Sequence, residues 1–208
     1  MVNIAVLVSG GGTNLQALID AQQAGSIPNG RIAVVVASNP NAYAIERAAK
    51  AGIPSVVLRK KDYNTEQEYT DALTAELEAR GIGLIVLAGF MTVLSAAFCS
   101  RYENRIINVH PSLIPAFCGD GFYGLHVHEA ALAKGVKVSG ATVHFVNAVT
   151  DGGPIIAQKA VCVEPDDTPE TLQKRIMAQA EHILLPQAVS LFCDGRLLVE
   201  NNIVRVTD

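Results

Sequence analysis

Charge is scarce in this sequence. Only 17% of the 208 residues are Asp, Glu, Lys or Arg, while half are apolar. Disorder needs the opposite balance, so it is excluded as a description of the whole chain. Basic residues are not in excess either: 16 Lys and Arg stand against 20 Asp and Glu, for a formal charge of −4 and a pI near 5.7. That excludes a protein that holds nucleic acid through a broadly basic surface. The four cysteines, Cys99, Cys118, Cys162 and Cys193, form no C-x-x-C pair and lie in or beside apolar sequence. They read as reduced thiols of a cytoplasmic protein, too widely spaced for a structural zinc site. Internal repeats, low-complexity segments and charged tails are all missing. So are a P-loop, a G-x-S-x-G elbow and a cysteine in an activating setting.

Two apolar stretches imitate membrane or export signals. Met1–Ser9 has no basic residues before it and no small-residue cleavage site after it, which predicts no secretory leader. Gly81–Ser100 carries no charge and is nearly long enough to span a bilayer. Gly83, Gly89, Thr92 and Ser95 interrupt it, and it divides into a β-branched run and a helix-like run. The expectation is a buried strand, a turn and a helix, with no membrane contact.

A chain of this length buries roughly 70% of its unfolded surface, enough for a core without staples. The periodicity predicts strands at 3–8, 32–37, 54–58, 84–88 and 105–109. Helices are predicted at 14–23, 42–51 and 66–80 between them. Strand and helix in turn, with strands apolar throughout, imply an α/β protein. Its sheet should be open, twisted and mostly parallel, with helices on both faces. The second half reads as a short helix at 127–134 and two more alternating strands at 137–146 and 155–163, an antiparallel extension of the sheet. A long helix follows at 168–193, capped by Thr168 and Thr171, with Pro169 in its first turn and Pro186 as a potential kink. The segment after Gly195 is strand-like. One domain spans 1–208, with a phosphate-binding half at 1–105 and a catalytic, folate-binding half at 106–208 once the likeness below is taken into account.

Three constellations carry chemistry. Ser9-Gly10-Gly11-Gly12-Thr13-Asn14 follows the first strand and opens the first helix, where backbone N–H groups and the helix dipole converge on anions. It is a poor dinucleotide fingerprint, since Leu15 stands where the third glycine belongs and the second strand ends without an acid. A phosphate monoester fits, and so does a tight turn that needs glycine for backbone reasons. Asn108 and His110 lie two apart at the end of the fifth strand and project together. One suits a carbonyl oxygen and the other proton transfer or an oxyanion, though a structural histidine has the same look. Asp151 sits in an Asp-Gly-Gly-Pro turn; brought near His110 it would raise the imidazole pKa, while Asp-Gly is also an ordinary turn pair. His126 and His128 form an H-x-H that reads as loop and helix start rather than a metal pair. His144 reads as a partly buried structural residue.

The segments SGGGTNLQALID (9–20), LAGFMTVLS (87–95), INVHPSLIPAF (107–117) and HFVNAVTDGGPIIAQ (144–158) together resemble the phosphoribosylglycinamide formyltransferases. These are folate-dependent enzymes of purine synthesis with a Rossmann-like fold. The likeness runs in order from about Asn3 to Leu191. It implies transfer of a formyl group from 10-formyltetrahydrofolate to glycinamide ribonucleotide, with no metal. It implies that Gly12, Thr13 and Asn14 hold the substrate phosphate and that Glu181 contacts the glycinamide substrate. Met91, Thr92, Val93 and Leu94, with Asn147, Ala148, Val149 and Thr150, would hold the folate. Asn108, His110 and Asp151 match the catalytic trio. Partners are then small molecules, and the chain is a monomer or a homodimer. A basic residue of the family near the folate tail aligns with Glu66, leaving Lys60 or Lys61 as substitutes. The loop 118–124 is longer than in many members, and its glycines suggest mobility. A formyltetrahydrofolate deformylase would share the trio. Such enzymes usually carry an extra N-terminal domain, for which a first strand at Asn3 leaves no room. A non-catalytic module that binds a phosphorylated ligand is the reading outside enzymes.

Overall fold

A computed structural model describes residues 1–207. Five strands and four helices alternate through the first half: β1 (Val2–Val8), α1 (Thr13–Gln23), β2 (Gly30–Ala37), α2 (Tyr43–Lys50), β3 (Ser55–Val57), α3 (Glu66–Ala79), β4 (Ile82–Leu87), α4 (Ala96–Arg101) and β5 (Ile106–His110). Then come α5 (Leu125–Lys134), β6 (Val138–Phe145), β7 (Ile155–Cys162), α6 (Pro169–Ile176), a π-helical turn (Met177–Glu181), α7 (His182–Cys193), β8 (Leu197–Glu200) and β9 (Ile203–Val206). Seven strands form one sheet in the order β3-β2-β1-β4-β5-β6-β7. The first five are parallel, and β6 and β7 join antiparallel, as the sequence implies.

Each central strand is apolar on both faces because helices cover both. Along β1, Ile4, Val6 and Val8 enter one core with Leu15 and Leu18 of α1 and Leu185 and Val189 of α7. Ala5 and Leu7 enter the other, with Tyr69, Leu73 and Leu77 of α3 and Phe98 of α4. The uncharged stretch 81–100 is β4, a loop and α4, as expected. Among the described residues no helix is long and apolar enough to cross a membrane. The four cysteines are unpaired.

Two local readings differ. The irregularity expected at Pro186 falls earlier, in the π-helical turn that ends at Glu181. Pro186 itself is accommodated inside α7, which simply lacks that one N–H. The strand-like tail is a separate hairpin, β8–β9, turned by Asn201 and Asn202 at φ 50° and 63°, a left-handed pair that asparagine tolerates. The expected capping box at α6 is present, with Thr168 and Thr171 bonding each other's backbone N–H.

The order β2-β1-β4 makes the chain reverse direction between β1 and β4. Ligands of open α/β sheets sit at the carboxyl ends of such a pair, where the following loops diverge. The glycine loop follows β1, Gly89–Leu94 follows β4, and His110 ends β5. Strand order alone therefore brings the three segments to one crevice.

Candidate active site

The glycine loop turns left-handed at Gly12, whose φ is 69°. A Cβ there would lie 2.7 Å from the Ala44 Cβ, so glycine is required by backbone and by space. Gly12 is also the N-cap of α1, and no side chain caps that helix. The first-turn N–H groups therefore face the crevice without internal partners. Ser9 joins this loop to the next. Its N–H donates to the Gly89 carbonyl, and its hydroxyl accepts from the Met91 N–H at 2.8 Å.

Asn14 and Glu181 meet across the crevice, with Asn14 Nδ2 donating to Glu181 Oε2 at 2.7 Å. Both are buried. The π-helical turn inserts an extra residue into the helix and aims Glu181 inward, a common use of such turns. Burial raises the Glu181 carboxyl to about 7, only partly offset by Asn14. A carboxyl whose folded pKa is raised makes the fold less stable as pH climbs from the ordinary value toward the folded one. The unfolding free energy should therefore fall by about 3 kcal/mol between pH 4.5 and 7. Glu181→Gln should abolish most of that fall. Urea unfolding of both proteins at pH 5 and pH 8 checks this; equal pH dependence in the two proteins would rule it out.

Asn108, His110 and Asp151 do come together, around a fourth residue that reads from sequence as merely structural. His144 lies opposite Asn108 in the β5–β6 register. It is 1% exposed, not partly buried, because β6 is flanked by β5 and β7 and covered on both faces. Its Nδ1 donates to the Phe145 carbonyl at 2.8 Å. Its Nε2 accepts from Asn108 Nδ2 at 3.2 Å. That orients the Asn108 amide. Asp151, left-handed at φ 53°, places Oδ2 at 3.5 Å from His110 Nδ1 and Oδ1 at 3.6 Å from His144 Nε2. The Gly119 N–H donates to Asp151 Oδ2 at 2.9 Å, and the Thr150 hydroxyl donates to Asp120 Oδ1 at 2.9 Å. Two bonds thus join the glycine-rich loop 118–124 to the aspartate turn.

The sign expected for His110 needs correcting. Burial lowers its pKa and outweighs the upward pull of Asp151 and of the Phe117 carbonyl; His144 adds to the lowering. The imidazole is therefore neutral at neutral pH. Its Nε2–H donates to the Phe117 carbonyl at 2.8 Å, which leaves a bare Nδ1 facing Asp151. A proton placed on Nδ1 would meet a carboxylate directly. Burial pushes Asp151 up, but the His144 imidazole, the Gly119 N–H and the charge that His110 carries once protonated together hold it below the usual carboxylate range.

The other histidines stand apart. His126 is exposed and pairs with Glu129 at 3.1 Å. His128 is fully buried with neither ring nitrogen bonded, and burial, with His110 adding to it, lowers its pKa to about 4. Both sit inside α5, two apart and facing differently. Among the described residues no three His, Cys, Asp or Glu side chains gather as metal ligands do.

Two cavities meet at this cluster. The larger, about 800 Å³, is lined by Gly10–Asn14, the loop 119–124, Glu181, Asn108, His110 and Asp151. The smaller, about 150 Å³, is lined by Met91–Leu94 and Asn147–Thr150. They share Phe90, Met91, Val93, Asn108, Thr150 and Asp151. Gly12–Asn14, Glu181, Met91–Leu94, Asn147–Thr150 and the trio Asn108, His110 and Asp151 each line one or both; Lys60, Lys61, His126 and His128 line neither. Another groove, about 920 Å³ between α1 and α7, lacks this character. Of its lining groups, Gln16 bonds Asp20 and Asp194 accepts from Asn29, while the buried His182 Nε2 has no partner. Lys60, one substitute for the basic residue near the folate tail, is ion-paired with Glu66 at 2.6 Å.

An open Rossmann-like sheet, with a glycine loop and an Asn–His–Asp cluster at its switch point, places the chain among α/β proteins that bind ligands at the carboxyl ends of their strands. Comparison with known proteins narrows this. The formyl transferase family model matches residues 2–189, and the chain belongs to that family. Over 203 residues it is 39% identical to the phosphoribosylglycinamide formyltransferase of Haemophilus influenzae, covering 98% of this chain and 92% of that protein. It is 43% identical over 197 residues to the trifunctional purine biosynthetic protein adenosine-3 of Drosophila melanogaster; that is 94% of this chain but only 14% of the larger protein. The crystal structure of glycinamide ribonucleotide transformylase 1 from Symbiobacterium toebii superposes with a TM-score of 0.93 at 45% identity, covering all of this chain and 95% of that one.

Proposed function

We propose that the chain transfers the formyl group of 10-formyltetrahydrofolate to the amine of N1-(5-phosphoribosyl)glycinamide, in the synthesis of purines. The observation that carries this is the junction of the two cavities at Asn108 and Asp151. A transfer between two bound molecules needs two sites that share the reacting centre. The larger cavity offers unpartnered N–H groups at one end, at Gly12, Thr13 and Asn14, suited to a phosphate. Glu181 lines the same cavity and offers its carboxyl to the glycinamide portion. The smaller cavity is walled by apolar side chains and backbone at Met91–Leu94 and Asn147–Thr150, suited to a flat ring that pairs through its edges. The chain is one domain, and both its halves build each cavity.

In this reading the amine attacks the formyl carbon directly. Negative charge then grows on the formyl oxygen, and the Asn108 amide and the His110 Nε2–H stabilise it. Each such donor is typically worth about 3 kcal/mol. His110 Nε2–H becomes available when the loop that begins at Phe117 gives up its bond. The amine nitrogen must lose a proton and N10 of the folate must gain one, and His110 or a water carries it. Asp151 stabilises the imidazolium through Nδ1 as charge develops there.

The test is spectrophotometric release of folate product from 10-formyltetrahydrofolate, with and without the ribonucleotide. Turnover that requires the ribonucleotide is expected. Turnover without it identifies a deformylase, and none in either condition identifies a binding module.

A further inference from the structure

Neither cavity is lined by a lysine or arginine among the described residues. A phosphate dianion would therefore rest on uncharged donors, chiefly the backbone N–H groups of the glycine loop, and those groups must be held in the right direction. Helix α2 lies behind the glycine loop. The Ala44 N–H donates to the Gly10 carbonyl at 3.1 Å, and Arg47 Nε donates to the Gly11 carbonyl at 2.8 Å. In a trans peptide the carbonyl of one residue and the N–H of the next point in opposite directions. Holding the Gly10 and Gly11 carbonyls toward α2 thus turns the N–H groups of Gly11 and Gly12 away from it. Neither N–H has an acceptor among the described residues. Two successive N–H groups so directed form a nest for an anion.

Arg47 is itself fixed. Its Nη1 donates to Gln16 Oε1 at 3.1 Å, and its guanidinium lies over the Tyr43 ring at 5.0 Å. The side chain is half-buried and outside the cavity that Gly11 and Gly12 line. It is the cation that braces the loop, and it stands behind the loop.

We infer that Arg47 is a positioning residue for phosphate recognition: by holding the Gly11 carbonyl it directs the Gly12 N–H at the phosphate, and its charge favours the dianion without touching it. This rests on the ribonucleotide reading above. A merely structural arginine would support the fold without regard to which substrate is bound.

The experiment compares Arg47→Gln and Arg47→Lys with the wild type on two acceptors: glycinamide ribonucleotide, and the same molecule without its 5′-phosphate. For Arg47→Gln, kcat/KM on the phosphorylated acceptor should fall on the order of tenfold, the usual scale for a charge-assisted bond, and mostly through KM. On the dephosphorylated acceptor it should change less than about twofold, and KM for the formyl folate should not move. Arg47→Lys should recover part of the loss, because it keeps the charge but not the fork that spans Gly11 and Gln16. Inorganic phosphate should raise the melting temperature of the wild type more than that of Arg47→Gln. Equal losses on both acceptors, or no loss, would overturn the role of Arg47 while leaving the function intact. A wild type indifferent to the 5′-phosphate would overturn the phosphate assignment itself, and this inference with it.

Discussion

His110→Ala should lower kcat at least a hundredfold while leaving the protein folded. The side chain contributes through two routes. In the proposed mechanism its Nε2–H, released from the Phe117 carbonyl, is one of two donors to the formyl oxygen, and its imidazole, with Nδ1 facing Asp151, carries the proton. Losing an oxyanion donor typically costs about 10²- to 10³-fold, and losing a general acid–base about 10²- to 10⁴-fold. The residues left behind are not stranded. Asp151 keeps the Gly119 N–H and its contact with His144, and Phe117 lies at the head of an open loop. Steady-state kinetics and a thermal melt settle the matter together. Wild-type turnover in a folded His110→Ala protein would remove this histidine from the chemistry.

Asp151→Asn should lower kcat by about the same factor, and it should also move the pH profile. Burial pushes His110 down while Asp151 pushes it up. Removing the carboxylate leaves burial unopposed, so the His110 pKa should drop further. The limb of the kcat/KM profile that reports loss of the imidazolium should then shift to lower pH. An amide keeps the shape of the carboxyl and can still accept from the Gly119 N–H, so the loop should keep its place. Stability gives an independent reading. The folded Asp151 pKa lies below its ordinary value, so its stabilising effect is present above that ordinary value and is lost as pH falls through the folded one. The variant should lose less stability than the wild type on acidification. A profile whose limb stays in place would mean that Asp151 positions the loop and does not tune His110.

Much of the site was legible because it is written in local rules. Asn108 and His110 share a strand end two residues apart, and strand geometry makes them point together. The glycine loop sits between a strand and a helix, and Gly12 is needed there by its own φ and by the nearness of Ala44. The apolar wall at 91–94 could be separated from a membrane span by the glycines and hydroxyls that interrupt it. Even Thr168, Pro169 and Thr171 announce their helix start within four residues.

The rest depends on contacts far apart in sequence. His144 orients Asn108 only because β6 pairs antiparallel with β5, across 36 residues. Alternation along the strand cannot reveal which residue will lie opposite. Glu181 reaches Asn14 across 167 residues through a π-helical turn that no spacing rule announces. Arg47 braces a loop 36 residues earlier from outside the cavity that the loop lines. The charge state of His110 is the sharpest case, because a neighbouring aspartate suggests one sign and the depth of burial imposes the other. By itself the sequence determined the alternation of elements, the parallel sheet, the strand-end pair and the glycine loop between the first strand and helix, since each follows from side-chain periodicity and backbone preference over a few residues. Only the tertiary structure decided which groups share a cavity, which way the loop's N–H groups point and which protons are held, because pairing register and desolvation are properties of the assembled fold.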